Sequence, residues 1–429
     1  MRSNVILLLL FVLIFNLNTS GQNKFDYLEN LIDKAIELNP NIKMLQAKLE
    51  ATKTRPAQNS NLPDPVLSIG ATNLPVNSFS FTQEPMTGKM VSLSQAFPFP
   101  GKLSTTSEVF EQDIEVVRQE IEEEKNKLRL KVADAYFQLT FVREKIRLTE
   151  ATKELFRTIK EVVQTKYEVN DASQQNIFKI ELELTKLEEN LSDLYSQEII
   201  SLSEINILLF RESDYSVETV GLDSFYVYEQ FSSDSLLQKA KINKPVLSQI
   251  ELMRDKAVKM EELSGYEFYP DFNLTLQYSQ RDEIAATNND LNDFFSIILG
   301  IKLPINYGGK KSAKVNEAVA LQQLYNEQYQ GNLQMLRVSI ETSLAKLHSL
   351  LERENLIENA SLIQAEENFS SALASYQVNK VDFINVTDAL NKLLNLQIDL
   401  YKIRSDYYRE IAQVEFLTGS NLLTNSDKF

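Results

Sequence analysis

FPFPGK, residues 97–102, and LPINYGGKK, residues 303–311, each divide an alternating run from a long stretch of helical character. Pro98 and Pro100 lack the N–H that a β-ladder needs, so they end a strand, and Gly101 allows a sharp bend into the helix that follows. Pro304 with Gly308 and Gly309 serves the same purpose some two hundred residues later. The chain therefore passes from sheet to rod twice.

The second passage belongs to an internal repeat. AIELNPNI from Ala35 resembles AKINKPVL from Ala240, and LPDPVLSIG from Leu62 resembles YPDFNLTLQ from Tyr269. KYEVND from Lys166 resembles SYQVNK from Ser375, and INILLF from Ile205 resembles VEFLTG from Val414, all in order at shifts of 205 to 209. Two repeats are expected, 22–210 and 232–419, with a linker or equatorial region at 211–231 and a tail at 420–429. Each begins with a helix, near 25–55 and 232–264. Two strands follow, near 65–74 and 89–97, then 271–280 and 293–304. Long helices over 103–166 and 172–210, then 310–376 and 381–418, complete the units.

The strands alternate. Phe272, Leu274, Leu276 and Tyr278 share one face, opposite Asn273, Thr275, Gln277 and Ser279. Ile297, Leu299 and Ile301 do the same beside Phe295 and Leu303, as do Leu67 and Ile69, and Val91 and Leu93. Runs of about ten residues fit tilted strands that cross a membrane with the apolar face to lipid. They fit equally well a pair of soluble hairpins packed on helices. In the helices, Leu128, Val132, Ala135, Leu139, Val142 and Ile146 step in heptads. So do Ile177 to Leu194 and Val386 to Ile403, which predicts knobs-into-holes packing. A helix over 103–166 would be about 100 Å long at ~1.5 Å per residue, more than a compact globule uses.

The chain has 429 residues, no Cys, one His and a formal net charge of -16. That charge disfavours nucleic acid, whose phosphates need a basic surface. Arg2, an apolar run from Val5 to Phe15, and Asn18–Gly21 read as a signal peptide over 1–21. Without Cys there is no disulfide and no lipid anchor to expect. GGKKS fails as a phosphate loop, because Pro304 stands where the first Gly belongs and Lys311 where Ser or Thr belongs. His348 reads as a helix-surface residue. No enzyme, cofactor or metal site is expected.

In lipid every backbone polar group must be bonded, so a spanning sheet must close. Four strands are too few, and a homotrimer sharing twelve strands solves the problem symmetrically. At this point the chain resembles the TolC-like outer-membrane efflux proteins. The resemblance rests on the duplicated order, on SQAFPFPGK and IKLPINYGGK, and on KYEVNDAS and SYQVNKVDFINVTDAL.

The resemblance implies a mainly α fold with transmembrane β. It also implies a trimeric twelve-stranded barrel in the outer membrane of a Gram-negative-type bacterium, and a long periplasmic α-helical barrel. The implied role is the exit duct of a tripartite system, with a periplasmic adaptor, a proton-driven inner-membrane pump and outer-membrane lipid as partners. The alternative is a soluble periplasmic coiled-coil adaptor or scaffold. In the family a Tyr-x-Val-Gly turn docks the adaptor, and its Tyr helps close the aperture. Here the turns are Tyr167-Glu168-Val169-Asn170 and Tyr376-Gln377-Val378-Asn379, with Asn in place of Gly. The family's two aperture acids fall at Asn385 and Asp388, with Asp382 nearby, and its basic gating residue falls at Val381.

Overall fold

The computed structural model describes residues 25–222, 232–287 and 290–422. The expected signal peptide, 223–231 of the expected linker, and the last residues of the expected tail lie outside them. The chain divides into two compact units, one of Met44–Ile121 with Val246–Asn332, the other of Met1–Lys43, Glu122–Pro245 and Leu333–Phe429.

The first unit holds the sheet. Strands β1 (Val66–Thr72), β2 (Gly88–Phe97), β3 (Asp271–Gln280) and β4 (Phe294–Lys302) lie antiparallel in that order. The two repeats do not form separate hairpins, because β2 pairs with β3 along its length, Val91 opposite Tyr278 and Leu93 opposite Leu276. Continuing the register sets Leu67 by Leu93, Leu276 by Ile297, Leu274 by Leu299 and Phe272 by Ile301. Directly opposed residues share a face, so the alternating residues of both repeats merge into one apolar surface. The other face carries Ser68, Ser92, Gln277 and Ser296 in one row, although Ile298 and Phe294 depart from that pattern. There Ser94 Oγ meets Thr275 Oγ1 at 2.9 Å.

At the first junction Gly101 has φ +94°, and a Cβ there would lie 2.6 Å from the Tyr266 hydroxyl. Any larger residue would be both strained and blocked. Phe99 stacks on Tyr269 with centroids 4.6 Å apart, its N–H donates to Asp271 Oδ1 at 3.0 Å, and Lys102 Nζ lies 3.4 Å from the same carboxylate. Helix α4 (Lys102–Glu168) starts there. At the second junction Gly308 and Gly309 take φ +60° and +73°, and the Lys311 N–H donates to Asn306 Oδ1 at 2.9 Å.

Each opening helix proves to be broken. In the first repeat α1 (Asp26–Leu38) and α2 (Pro40–Lys53) are followed by the short α3 (Arg55–Asn59); the second has α6 (Ser233–Asn243) and α7 (Pro245–Tyr266). Both breaks precede a proline. Asn39 and Lys244 are pushed to ψ 120° and 113°, the extended conformation that a following proline imposes. Asn39 Oδ1 then accepts from the N–H of Asn41 at 2.8 Å.

The helical unit contains most of α4, together with α5 (Gln174–Leu208) and α10 (Phe383–Thr418). The helix expected over 310–376 is interrupted. It runs as α8 (Lys310–Leu356), a π turn (Ile357–Ser361) and α9 (Leu362–Gln377). Arg404 of α10, almost fully buried, lies beside the π turn. It binds Glu354 at 3.0 Å, Glu358 within the turn at 2.7 Å and the Leu222 carbonyl at 3.2 Å. Burial pushes the Glu354 carboxyl up, with Arg404 acting against that shift.

The heptad positions Leu128, Val132, Ala135, Leu139, Val142 and Ile146 are all buried. Phe25, Phe137 and Tyr408 form the aromatic centre, with Phe137 stacked on Tyr408 at 5.2 Å. Lys244 Nζ is buried against Glu123 Oε1 at 3.1 Å, the Phe416 carbonyl at 2.9 Å and the Phe416 ring at 3.5 Å. Burial pushes its ammonium down, opposed by Glu123.

Candidate functional site

Two regions carry the residues singled out by sequence. The first is the sheet's apolar face, where Leu67, Ile69, Val91, Leu93, Leu276, Tyr278, Ile297, Leu299 and Ile301 are all exposed, Ile69 reaching 77%. Phe272 and Leu274 are half-buried. Isolated exposed apolar residues need no explanation, but a contiguous face built from four strands does. Among the described residues β1 and β4 each have one strand neighbour, which leaves both outer edges unpaired there.

The second region is the pair of helix–helix turns. Asn170 and Asn379 have φ +61° and +60°, the left-handed conformation that Asn tolerates better than any other non-Gly residue. The Asp171 N–H reaches back to the Lys166 carbonyl at 2.7 Å, and the Lys380 N–H to the Ser375 carbonyl at 2.8 Å. This six-residue closure satisfies carbonyls left free at a helix end. Val169 and Val378 stand exposed at the two turns.

The two tip tyrosines differ. Tyr167 is 42% exposed, whereas Tyr376 is 4% exposed and packs on Phe383 with centroids 5.3 Å apart. Burial pushes its hydroxyl up, and Asn176 Nδ2 donates to it at 3.4 Å. Around it lies a core of Phe156, Ile159, Val163, Ile180 and Val386.

Lys166 ties the turns together. Its Nζ bonds Asp171 Oδ2 at 3.0 Å and Asn379 Oδ1 at 2.5 Å, and it lies 5.3 Å from the Tyr376 ring centroid. Asn379 Nδ2 closes the triangle on Asp171 Oδ1 at 2.5 Å. Lys166 first, and Asn379 second, hold the Asp171 carboxyl below the usual carboxylate range. Sequence reasoning passed over Lys166, Asp171 and Asn176. The signal was present, since Lys166 aligns with the neutral Ser375 in the repeat.

Asp382, Asn385 and Asp388 all lie exposed at the start of α10. Asp388 is bound by Lys392, one turn along the same helix, at 2.8 Å. Asp382 makes no ion pair among the described residues. Val381 is partly buried against the tip core. His348 is exposed, with Nδ1 3.6 Å from Glu352. Among the described residues no cluster of His, Cys, Asp or Glu has the arrangement of a metal site.

Residues 236–420 match the family described as outer membrane efflux protein. A search of curated proteins finds the cobalt-zinc-cadmium resistance protein CzcC of Cupriavidus metallidurans, 20% identical over 326 residues and covering 74% of each chain. Among solved structures, the outer membrane protein VceC of Vibrio cholerae superposes with a TM-score of 0.73 at 19% identity, over 93% of this chain and 99% of that one. CusC, whose structures describe transmembrane channel formation, gives 0.73 at 18% identity over 92% of each. The match to the outer membrane efflux protein family thus spans the second repeat, and the described chain has the fold of the solved relatives. These are channels of tripartite pumps that act with an adaptor and an inner-membrane pump, and they are not enzymes.

Proposed function

We propose that three copies of this chain pair β4 of one with β1 of the next, closing a twelve-stranded barrel in the outer membrane. The helical units form a periplasmic α-helical barrel. The assembly is the exit duct for small molecules or ions delivered by a periplasmic adaptor and a proton-driven inner-membrane pump. One observation carries this reading: a single sheet exposes a continuous apolar face while both its edges lie open. A soluble scaffold would leave that face and those edges in water, a combination that invites aggregation. The name of the relative CzcC suggests divalent metal cations as one cargo class, and the duct passes what its pump supplies.

We assign adaptor docking to Val169-Asn170 and Val378-Asn379, the exposed points of the two turns. The aperture is assigned to Tyr376, Tyr167, Asp382, Asn385 and Asp388, where the Lys392 partner makes the ring less cation-selective than bare carboxylates would. Proline cannot adopt the positive φ of these turns, so replacing Asn170 and Asn379 together should abolish export from cells. The barrel should still assemble, as judged by heat-modifiable migration of the outer-membrane fraction. Export that survives with both turns replaced would remove the tips as the docking site.

A further inference from the structure

We propose that the second strand-to-helix junction, Lys302 to Lys314, is a binding surface for anionic phospholipid in the periplasm-facing leaflet. The inference rests on the barrel reading above. In a chain of net charge -16, residues 294–316 contain four lysines and no Asp or Glu. Lys302 and Lys310 are exposed and make no ion pair among the described residues. Lys314 is held by the Glu267 carboxylate and Lys311 by the Glu267 carbonyl at 2.5 Å. Asp271, cross-strand from Lys302, is already engaged by Lys102 and by the Phe99 N–H. Glu267 and Asp271 are thus taken, and with Glu317 as the one acid in the next turn of α8, positive charge is left over at Lys302 and Lys310.

Between the two unpaired lysines, Asn306 is occupied by Ser312 and the Lys311 N–H, and the other exposed side chains are apolar or aromatic. Leu303, Ile305 and Tyr307 are 69%, 54% and 79% exposed, and they continue the apolar face of β4. Apolar contact that gives way to an aromatic and then to cations is the order met on passing from acyl chain to headgroup. Charge complementarity selects the occupant. A zwitterionic headgroup offers these lysines no net charge, whereas phosphatidylglycerol offers one per lipid. The first junction differs, because its Lys102 is neutralised by Asp271, so one lipid site per chain is expected, at the second junction.

The test is native mass spectrometry of the full-length protein in detergent, titrated with phosphatidylglycerol and, separately, with phosphatidylcholine. Phosphatidylglycerol should bind more tightly. Lys302→Gln with Lys310→Gln should weaken it about fivefold per lysine while leaving phosphatidylcholine unchanged. Lys302→Arg with Lys310→Arg should retain the preference, and added salt should reduce it. Equal binding of the two lipids would overturn the proposal. So would undiminished phosphatidylglycerol binding by the glutamine pair, or its displacement by millimolar inorganic phosphate. A protein that enters phosphatidylcholine bilayers normally yet shows no preference overturns this inference alone. One that enters no bilayer overturns the barrel reading together with it.

Discussion

Lys244→Ala should lower the stability of the helical unit by roughly 3–5 kcal/mol, the cost of breaking a buried ion pair from one side. Lys244 is 2% exposed, and Glu123 Oε2 is buried with no hydrogen-bond partner even while the lysine is present. Without the ammonium, the buried Glu123 side chain would lose its ion-pair partner, and the Phe416 carbonyl would lose a donor. Thermal unfolding of the detergent-solubilised protein should show a markedly lower midpoint. The double change Lys244→Met with Glu123→Leu should recover most of the loss, because well-packed apolar residues often replace such a pair at little cost. If the single variant melted like the parent, the pair would be a bystander.

Leu276→Arg and Leu299→Arg should each cost roughly 2–4 kcal/mol near the bilayer midplane. Both residues sit mid-strand on the apolar face. The size of this effect separates the two readings of the sheet. In water both side chains are already exposed, and an arginine there would be close to neutral. In lipid it must be desolvated or drag water with it. Refolding into vesicles along a urea titration measures the difference. Thr275→Arg, one residue along on the opposite face, should be far milder, since lumen-facing changes chiefly alter selectivity.

The sequence disclosed the order of elements because that order has local causes. Alternation at Phe272–Tyr278 can only be a half-exposed strand, and Pro98, Pro100 and Gly101 can only end the strand before them, β2. The heptads from Leu128 and Val386 name their own buried face. Pairing is not local. Nothing in GKMVSLSQAF or DFNLTLQYSQ states that these strands lie side by side, since either could have paired only within its own repeat. The breaks at Asn39 and Lys244 were readable in principle, because a proline follows each. The π turn at Ile357–Ser361 was not, since it sits where Glu354 and Glu358 meet Arg404 from a distant part of the chain.

The tips show the same division. Asn170 and Asn379 carried their left-handed turns in the sequence. That Tyr376 is buried while Tyr167 is exposed depends on Phe383 and Asn176, which flank the turn regions on two different helices. The tie from Lys166 to Asn379 spans the two repeats, so it became visible only once the turns were brought together.

The most direct test of the account is the number of chains in the detergent-solubilised particle. Native mass measurement of protein extracted from the envelope should give three chains per particle, with no release from the envelope in the absence of detergent. A stable monomer recovered without detergent would contradict it. The open edges of β1 and β4 would then be unpaired in the working protein, and no closed barrel would exist.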